Sequence, residues 1–267
     1  MKYLVQFIFG FLLVLNAVRC QNRKYAPGFD FDLFNGSSNY ALAKAVEADD
    51  TTGIVYQLVN HKASVDAREP KFGHTTLLLA VANDKERSVY KLLELGADPN
   101  AKSLSNSSPF LTACKFGFNS KNPTDLLKAL IRYGADVNGK QVDTTNDQFG
   151  KRSNFSATPL QLVCIYGTLP MVKILVENGA KLDTYGENSH AIVSTAVLRG
   201  QLDIIRYLLI DQQAPIPDYV LIRQAGTAHE KKMTITDVLN EADYKDDFSR
   251  RQQREEILRY LKSKGRV

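Results

Sequence analysis

The chain has 267 residues, 44% of them hydrophobic and 24% charged, an ordinary globular balance that excludes disordered, collagen-like and multi-span membrane classes. Its net charge of +5 comes from 34 basic and 29 acidic residues mixed along the chain, so the sequence shows no clustered basic face of the kind nucleic-acid binding needs. Three cysteines are too few for a disulfide scaffold.

Lys2 opens a mostly apolar run from Tyr3 to Val18 that ends in polar sequence. A short basic start, an apolar stretch of about 15 and a polar flank is a secretory signal pattern, short of the ~20 residues that span a bilayer. Residues 1–20 are therefore predicted as a signal peptide, with cleavage before Gln21 placing Val18 and Cys20 at its last positions. They carry two bases and no acid, which leaves the mature chain at +3. A lipoprotein would instead acylate Cys20, but Arg19 is not the small residue that such a site normally has before its cysteine. Arg19, Arg23 and Lys24 after the run leave an uncleaved anchor as a third course. Residues 21–38 form an N-terminal extension whose Phe29, Phe31 and Phe34 are placed to tuck against the first repeated unit.

From residue 39 the chain repeats itself. Thr75-Thr76-Leu77-Leu78-Leu79-Ala80-Val81 leads to Leu92-Leu93 and Gly96-Ala97-Asp98-Pro99-Asn100. The same skeleton returns from Ser108-Pro109-Phe110-Leu111-Thr112-Ala113-Cys114 to Gly134-Ala135-Asp136-Val137-Asn138. It returns again from Thr158-Pro159-Leu160-Gln161-Leu162-Val163-Cys164 to Gly179-Ala180-Lys181-Leu182-Asp183, and a fourth time from Ala191 to Leu208-Leu209. Thr75 to Ser108 and Thr158 to Ala191 are each 33 residues apart. Thr or Ser caps a first helix, and Pro follows where no N–H is missed. Gly closes a second helix, where a left-handed residue costs least, and Asp and Asn favour the turn after it.

The period and the opening T-P-L motif resemble the ankyrin repeat. The resemblance implies an all-α solenoid of five to six stacked helix-turn-helix repeats, because one such unit cannot bury its apolar face alone. The predicted repeats lie near 39–72, 73–105, 106–155, 156–188 and 189–216, with a degenerate cap over 217–267. In the first, Lys62 stands where the others have Gly; in the fifth, Gln212-Gln213-Ala214 replaces Gly-Ala. The cap is predicted to hold helices at Thr234–Glu241 and Arg250–Lys264, the second with Ile257, Leu258 and Leu261 on one stripe. Residues 119–123 lie in a short expansion between two helices, and 139–156 form a longer insertion, of the kind that maps to loops on one face.

No catalytic, cofactor or metal motif emerges. His61, His74, His190 and His229 have no metal-ligand spacing, and G-x-S-x-G, P-loop and G-x-G-x-x-G patterns do not occur. Cys114 and Cys164 hold equivalent places in consecutive repeats. Packed helices sit about 8–10 Å apart, while a disulfide needs its Cα atoms under ~7 Å apart, so both are predicted as buried free thiols. A hydrolase site in the 139–156 insertion would need a nucleophile–base pair, and none is visible.

The resemblance also implies a binding face built from the hairpin tips and the exposed ends of the first helices. Carried onto this sequence, that face comprises Phe72, Lys115, Phe116, Phe149, Phe155, Ile165, Tyr166, Leu198 and Arg199. Aromatic and Arg side chains suit binding hot spots; the competing reading is that Phe149 and Phe155 fold back and bury the strip. The expectation is an exported, non-catalytic protein–protein interaction module, with the periplasm as its address. Its partner is another protein, with no nucleic acid or small-molecule substrate, and a membrane only if Cys20 is lipidated. The opening Ala41-Leu42-Ala43-Lys44-Ala45-Val46-Glu47 is similar to immunity proteins that neutralise antibacterial toxins. An envelope-anchored scaffold or stress-protection factor is the alternative.

Overall fold

A computed structural model describes residues 28–117, 120–146, 152–183, 191–242 and 247–266. The predicted signal peptide, Cys20, Phe149 and His190 lie outside them.

A 3-10 turn, Phe31–Phe34, precedes α1 (Tyr40–Glu47) and α2 (Thr51–Val59). Next come α3 (Thr76–Ala82) and α4 (Glu86–Glu94), α5 (Pro109–Phe116) and α6 (Pro123–Arg132), α7 (Pro159–Tyr166) and α8 (Leu169–Glu177), and α9 (Ile192–Leu198) and α10 (Leu202–Arg206). The last of these continues as a π turn, Tyr207–Asp211. The first helices α1, α3, α5, α7 and α9 pack side by side, and the second helices α2, α4, α6, α8 and α10 form a parallel layer behind them. Ala80, Ala113, Val163 and Ala196 are all fully buried between layers, as the 33-residue register predicts.

The local chemistry agrees with the sequence reading. The Thr75, Ser108 and Thr158 hydroxyls accept from the backbone N–H three residues on, at 3.2, 3.2 and 3.3 Å. Pro109 and Pro159 occupy the first helical turns, and Ala191 heads α9 without a side-chain cap. Gly96, Gly134 and Gly179 have φ of +89°, +90° and +86°, a region open to glycine at little cost. Lys62 and Gln213 take the same left-handed turn at φ +52° and +51°, so the first and fifth repeats keep the geometry without the residue that suits it.

The insertion departs from an all-helical reading. Residues Gln141–Asn146 (β1) and Arg152–Ala157 (β2) form an antiparallel hairpin with Gln141 opposite Ala157. A second hairpin, β3 (Leu221–Arg223) with β4 (Lys231–Met233), leads into α11 (Ile235–Glu241) and α12 (Phe248–Ser263). The strands of each hairpin satisfy their backbone groups by pairing with each other, which helical periodicity cannot reveal. The cap is thus a sixth tip-and-helix-pair unit. α11 packs on α9 and α12 on α10, and Arg206 joins the α12 residue Glu256 at 2.9 Å. Phe31 and Phe34 close the other end, fully buried against α1.

The repeats are also stitched along their turns. Asn100 Oδ1 accepts from the Asp136 N–H at 2.8 Å, while its Nδ2 donates to the Gly134 carbonyl at 2.8 Å. Asn138 does the same one repeat on, with the Lys181 N–H at 2.9 Å and the Gly179 carbonyl at 3.0 Å. At the other turn, Asp49 accepts from the N–H and hydroxyl of Ser88, and Asp84 from the hydroxyl of Ser120 in the 119–123 expansion.

Cys114 and Cys164 are buried and unbonded, on neighbouring helices α5 and α7. Burial raises both thiols, that of Cys164 to about 12. They are expected to resist a thiol reagent in the native protein and to react fully after denaturation without reductant; a bridged pair would leave both silent. Asn138→Ala removes two hydrogen bonds between repeats and should cost about 1–3 kcal/mol in urea denaturation.

Candidate protein-binding face

The first helices end in a row on one side of the solenoid. Phe116 closes α5, Ile165 and Tyr166 close α7, and Leu198 with Arg199 closes α9. Phe116 and Tyr166 are each 38% exposed and Leu198 is 44% exposed, while Ala113, Val163 and Ala196, two or three residues earlier, are wholly buried. The helices satisfy their core without the terminal residues. Arg199 Nε donates to the Ile165 carbonyl at 3.1 Å, tying two of these ends together. Lys115 Nζ lies 5.5 Å from the centre of the Phe116 ring.

At the N-terminal end, the tip between α2 and α3 adds an aromatic stack. His74 lies between Phe72 and Phe29, with ring centres 5.4 and 5.1 Å away and planes within 22° and 12°. Phe29 meets Phe116 edge-on at 6.1 Å. Its carbonyl accepts from Asn83 Nδ2 at 2.8 Å, which holds the N-terminal extension across the helix ends. Leu104, 73% exposed on the next tip, donates its N–H to the Phe72 carbonyl at 2.9 Å. Phe72 is half-buried and carries Lys71 over its ring at 5.0 Å.

Beneath the stack lies Glu69, only 1% exposed. Its carboxylate accepts from the backbone N–H groups of Lys71, Phe72 and His74 at 2.6, 2.8 and 2.9 Å. That network fixes the tip and consumes the carboxylate. His74 Nδ1, 3.7 Å from Glu69, makes no hydrogen bond. Burial lowers the His74 pKa more than Glu69 raises it, so the ring stays neutral at pH 7.

The structure therefore brings together Phe72, Lys115, Phe116, Ile165, Tyr166, Leu198 and Arg199 on neighbouring tips and helix ends. Phe155 falls in β2, in register with Asp143. Phe29 and His74 are contributors that the repeat pattern alone does not assign to this face. Phe29 precedes the repeats, and His74 reads as a residue placed by the fold ahead of a helix cap. The spacing of Phe29, Phe31 and Phe34 signals an apolar extension but not which of the three stays at the surface. Among the described residues, no group of three or more His, Cys, Asp or Glu side chains could hold a metal ion.

Stacked helix pairs that expose an apolar row at their ends define a repeat-type interaction scaffold. Residues 110–218 match the family model for ankyrin repeats in three copies. The chain is similar to Protein PhlB of Serratia liquefaciens, 31% identical over 157 residues, which is 58% of this chain and 60% of that protein. It is also similar to a putative ankyrin repeat protein of Fowlpox virus (strain NVSL), 29% identical over 130 residues, covering 49% of this chain and 35% of the relative. A putative ankyrin repeat protein of Rickettsia bellii (strain RML369-C) is 27% identical over 121 residues, covering 44% and 17%. The chain thus spans less than two thirds of the length of each of these relatives. Ankyrin repeats are in general protein–protein interaction modules.

A lowered histidine pKa has a signed consequence for stability. As pH falls through about 6.5, the unfolded chain takes up the proton before the folded one, so stability declines below that pH. The His74 ring protons should titrate below the ordinary histidine value by NMR. The loss of stability between neutral and mildly acidic pH should be smaller in His74→Gln.

Proposed function

We propose that this chain is a non-catalytic protein-binding module that uses the row of first-helix ends and the neighbouring tips as its contact surface. The observation that carries this reading is the exposure of Phe116, Tyr166 and Leu198 at the C-terminal ends of the first helices of three successive repeats. Large apolar side chains repeated at an exposed position that the core does not need are suited to a partner rather than to folding. The ladder of hydrogen bonds behind them keeps that surface preorganised, which lowers the ordering cost of binding.

We further propose that it acts outside the cytoplasm, in the periplasm, as an immunity protein that binds and neutralises an antibacterial toxin. Support comes from the signal-like pattern of residues 1–20 and from the opening Ala41–Glu47 segment, which is similar to such proteins. The alternative is an envelope-anchored scaffold or stress-protection factor held by acylated Cys20. Mass spectrometry of the mature N-terminus separates the two: a start at Gln21 supports the free protein, and a lipidated Cys20 supports the anchored one.

The contact surface is tested by placing a photo-crosslinking residue at position 116, 166 or 198 in living cells, with position 132 on the second-helix layer as control. One defined protein adduct at the first three positions and none at the control is the expected result. Once that partner is purified, Tyr166→Ala or Phe116→Ala should weaken binding by about 1–3 kcal/mol if either is a hot spot. Stability should move by no more than about 0.5 kcal/mol, as at an exposed site. Unchanged affinity with a large fall in melting temperature would make the strip part of the core.

A further inference from the structure

We infer that this face selects an acidic protein segment, one that alternates carboxylates with large apolar side chains. The inference rests on the proposed contact surface and adds the chemistry of what it takes. Bases and acids are mixed along the sequence, but the fold sorts them. The tips and helix ends of this face present Lys71, Lys102, Lys115, Lys140 and Arg199. The segments 67–76, 101–110, 115–117, 165–168 and 198–200 contain a single carboxylate, Glu69; the other acids of this side are Asp84 after α3, which accepts from the Ser120 hydroxyl, and Asp143 in the tip that carries Lys140. Glu69 is buried and occupied by backbone N–H groups of its own tip, so it makes no direct contact with a partner. Asp66, Asp98 and Asp136, in the turns that precede the tips, are engaged in accepting the N–H groups of Asp98, Asn100 and Asn138.

The cations are interleaved with the apolar side chains. Lys71 lies over Phe72 and Lys115 over Phe116, and Arg199 is anchored to the end of α7 beside Tyr166. Lys102 reaches across to the Lys140 carbonyl at 3.3 Å, which brings two ammonium-bearing residues to adjacent tips. A partner that buries Phe116, Tyr166 and Leu198 must therefore bring its own surface within reach of these cations. An acidic rim satisfies them, whereas a basic rim meets like charge and is repelled. The exposed apolar row favours protein over nucleic acid, because Leu198, Ile165 and Leu104 offer nothing to a phosphate backbone.

The test uses the full chain and a short fluorescein-labelled peptide in which Glu alternates with Leu and Phe. Its controls are the same peptide with Lys for Glu and a labelled single-stranded oligonucleotide. By fluorescence anisotropy the acidic peptide should bind, the lysine peptide should not, and raising salt should weaken binding. The double variant Lys71→Glu/Lys115→Glu should bind the acidic peptide about tenfold or more weakly, with its circular dichroism and melting temperature preserved. Failure of the acidic peptide to bind, equal binding of the lysine peptide, or unchanged affinity in the charge-reversed variant would overturn the inference. So would tighter binding of the oligonucleotide, which would make the face a polyanion site. Phe116→Ala and Tyr166→Ala read the underlying surface separately. If they weaken the peptide while charge reversal does not, the contact surface stands and the charge selection falls. If neither set has an effect, both fall.

Discussion

No helix pair in this chain can bury its own apolar sides. A pair such as α5 and α6 contributes Phe110, Leu111, Leu127 and Leu130 to the core, and two helices of eight and ten residues are too short to enclose them. Burial is completed only when the next pair is laid alongside. Each interface therefore depends on its neighbours, and the chain must end in units that tolerate water on one side. Phe31 and Phe34 serve the first end, and the long, charged α12 with buried Ile257 and Leu261 serves the other.

Apolar burial sets the stacking but is not directional, so it leaves the register between units loosely defined. The polar turns supply direction. Asn100 and Asn138 each offer one acceptor and one donor to the following repeat, and Asp49 and Asp84 perform a related task at the opposite turn. Because these bonds span repeats, they fix the pitch of the solenoid and with it the spacing of the helix ends. The binding face is a consequence of that spacing. Its aromatic groups come from segments as far apart as Phe29 and Tyr166, and their relative positions depend on every interface in between.

The tip at 68–75 shows how a buried charge can serve geometry. Glu69 is removed from water, yet the backbone N–H groups of three residues surround it, so its desolvation is offset by charge-assisted hydrogen bonds. The resulting turn holds Phe72 and His74 parallel and gives Phe29 a flat surface to stack on. The same arrangement withdraws the one carboxylate of this tip from the surface and leaves Lys71 exposed beside Phe72.

Helix identity, helix order and the repeat were legible in the sequence, because caps, Pro at the first turn and terminal Gly act within a few residues and the 33-residue period exposes their recurrence. Equivalent register likewise placed Cys114 and Cys164 as separate buried thiols. Phe116, Tyr166 and Leu198 could be found because position within a repeat maps onto position in space. Tertiary structure decided what depends on contacts between distant segments. Asn100 and Asn138 read locally as turn formers, and their bonds to the next repeat need a neighbour that the local sequence does not specify. The 141–157 hairpin breaks the helical periodicity, so its strands emerge only from their mutual pairing. Phe29 could equally have been a core residue like Phe31 and Phe34; packing against His74 and Phe116 put it on the face. Charge obeyed the same logic: the linear order mixes lysines with acids, and only folding determines which of them share a surface.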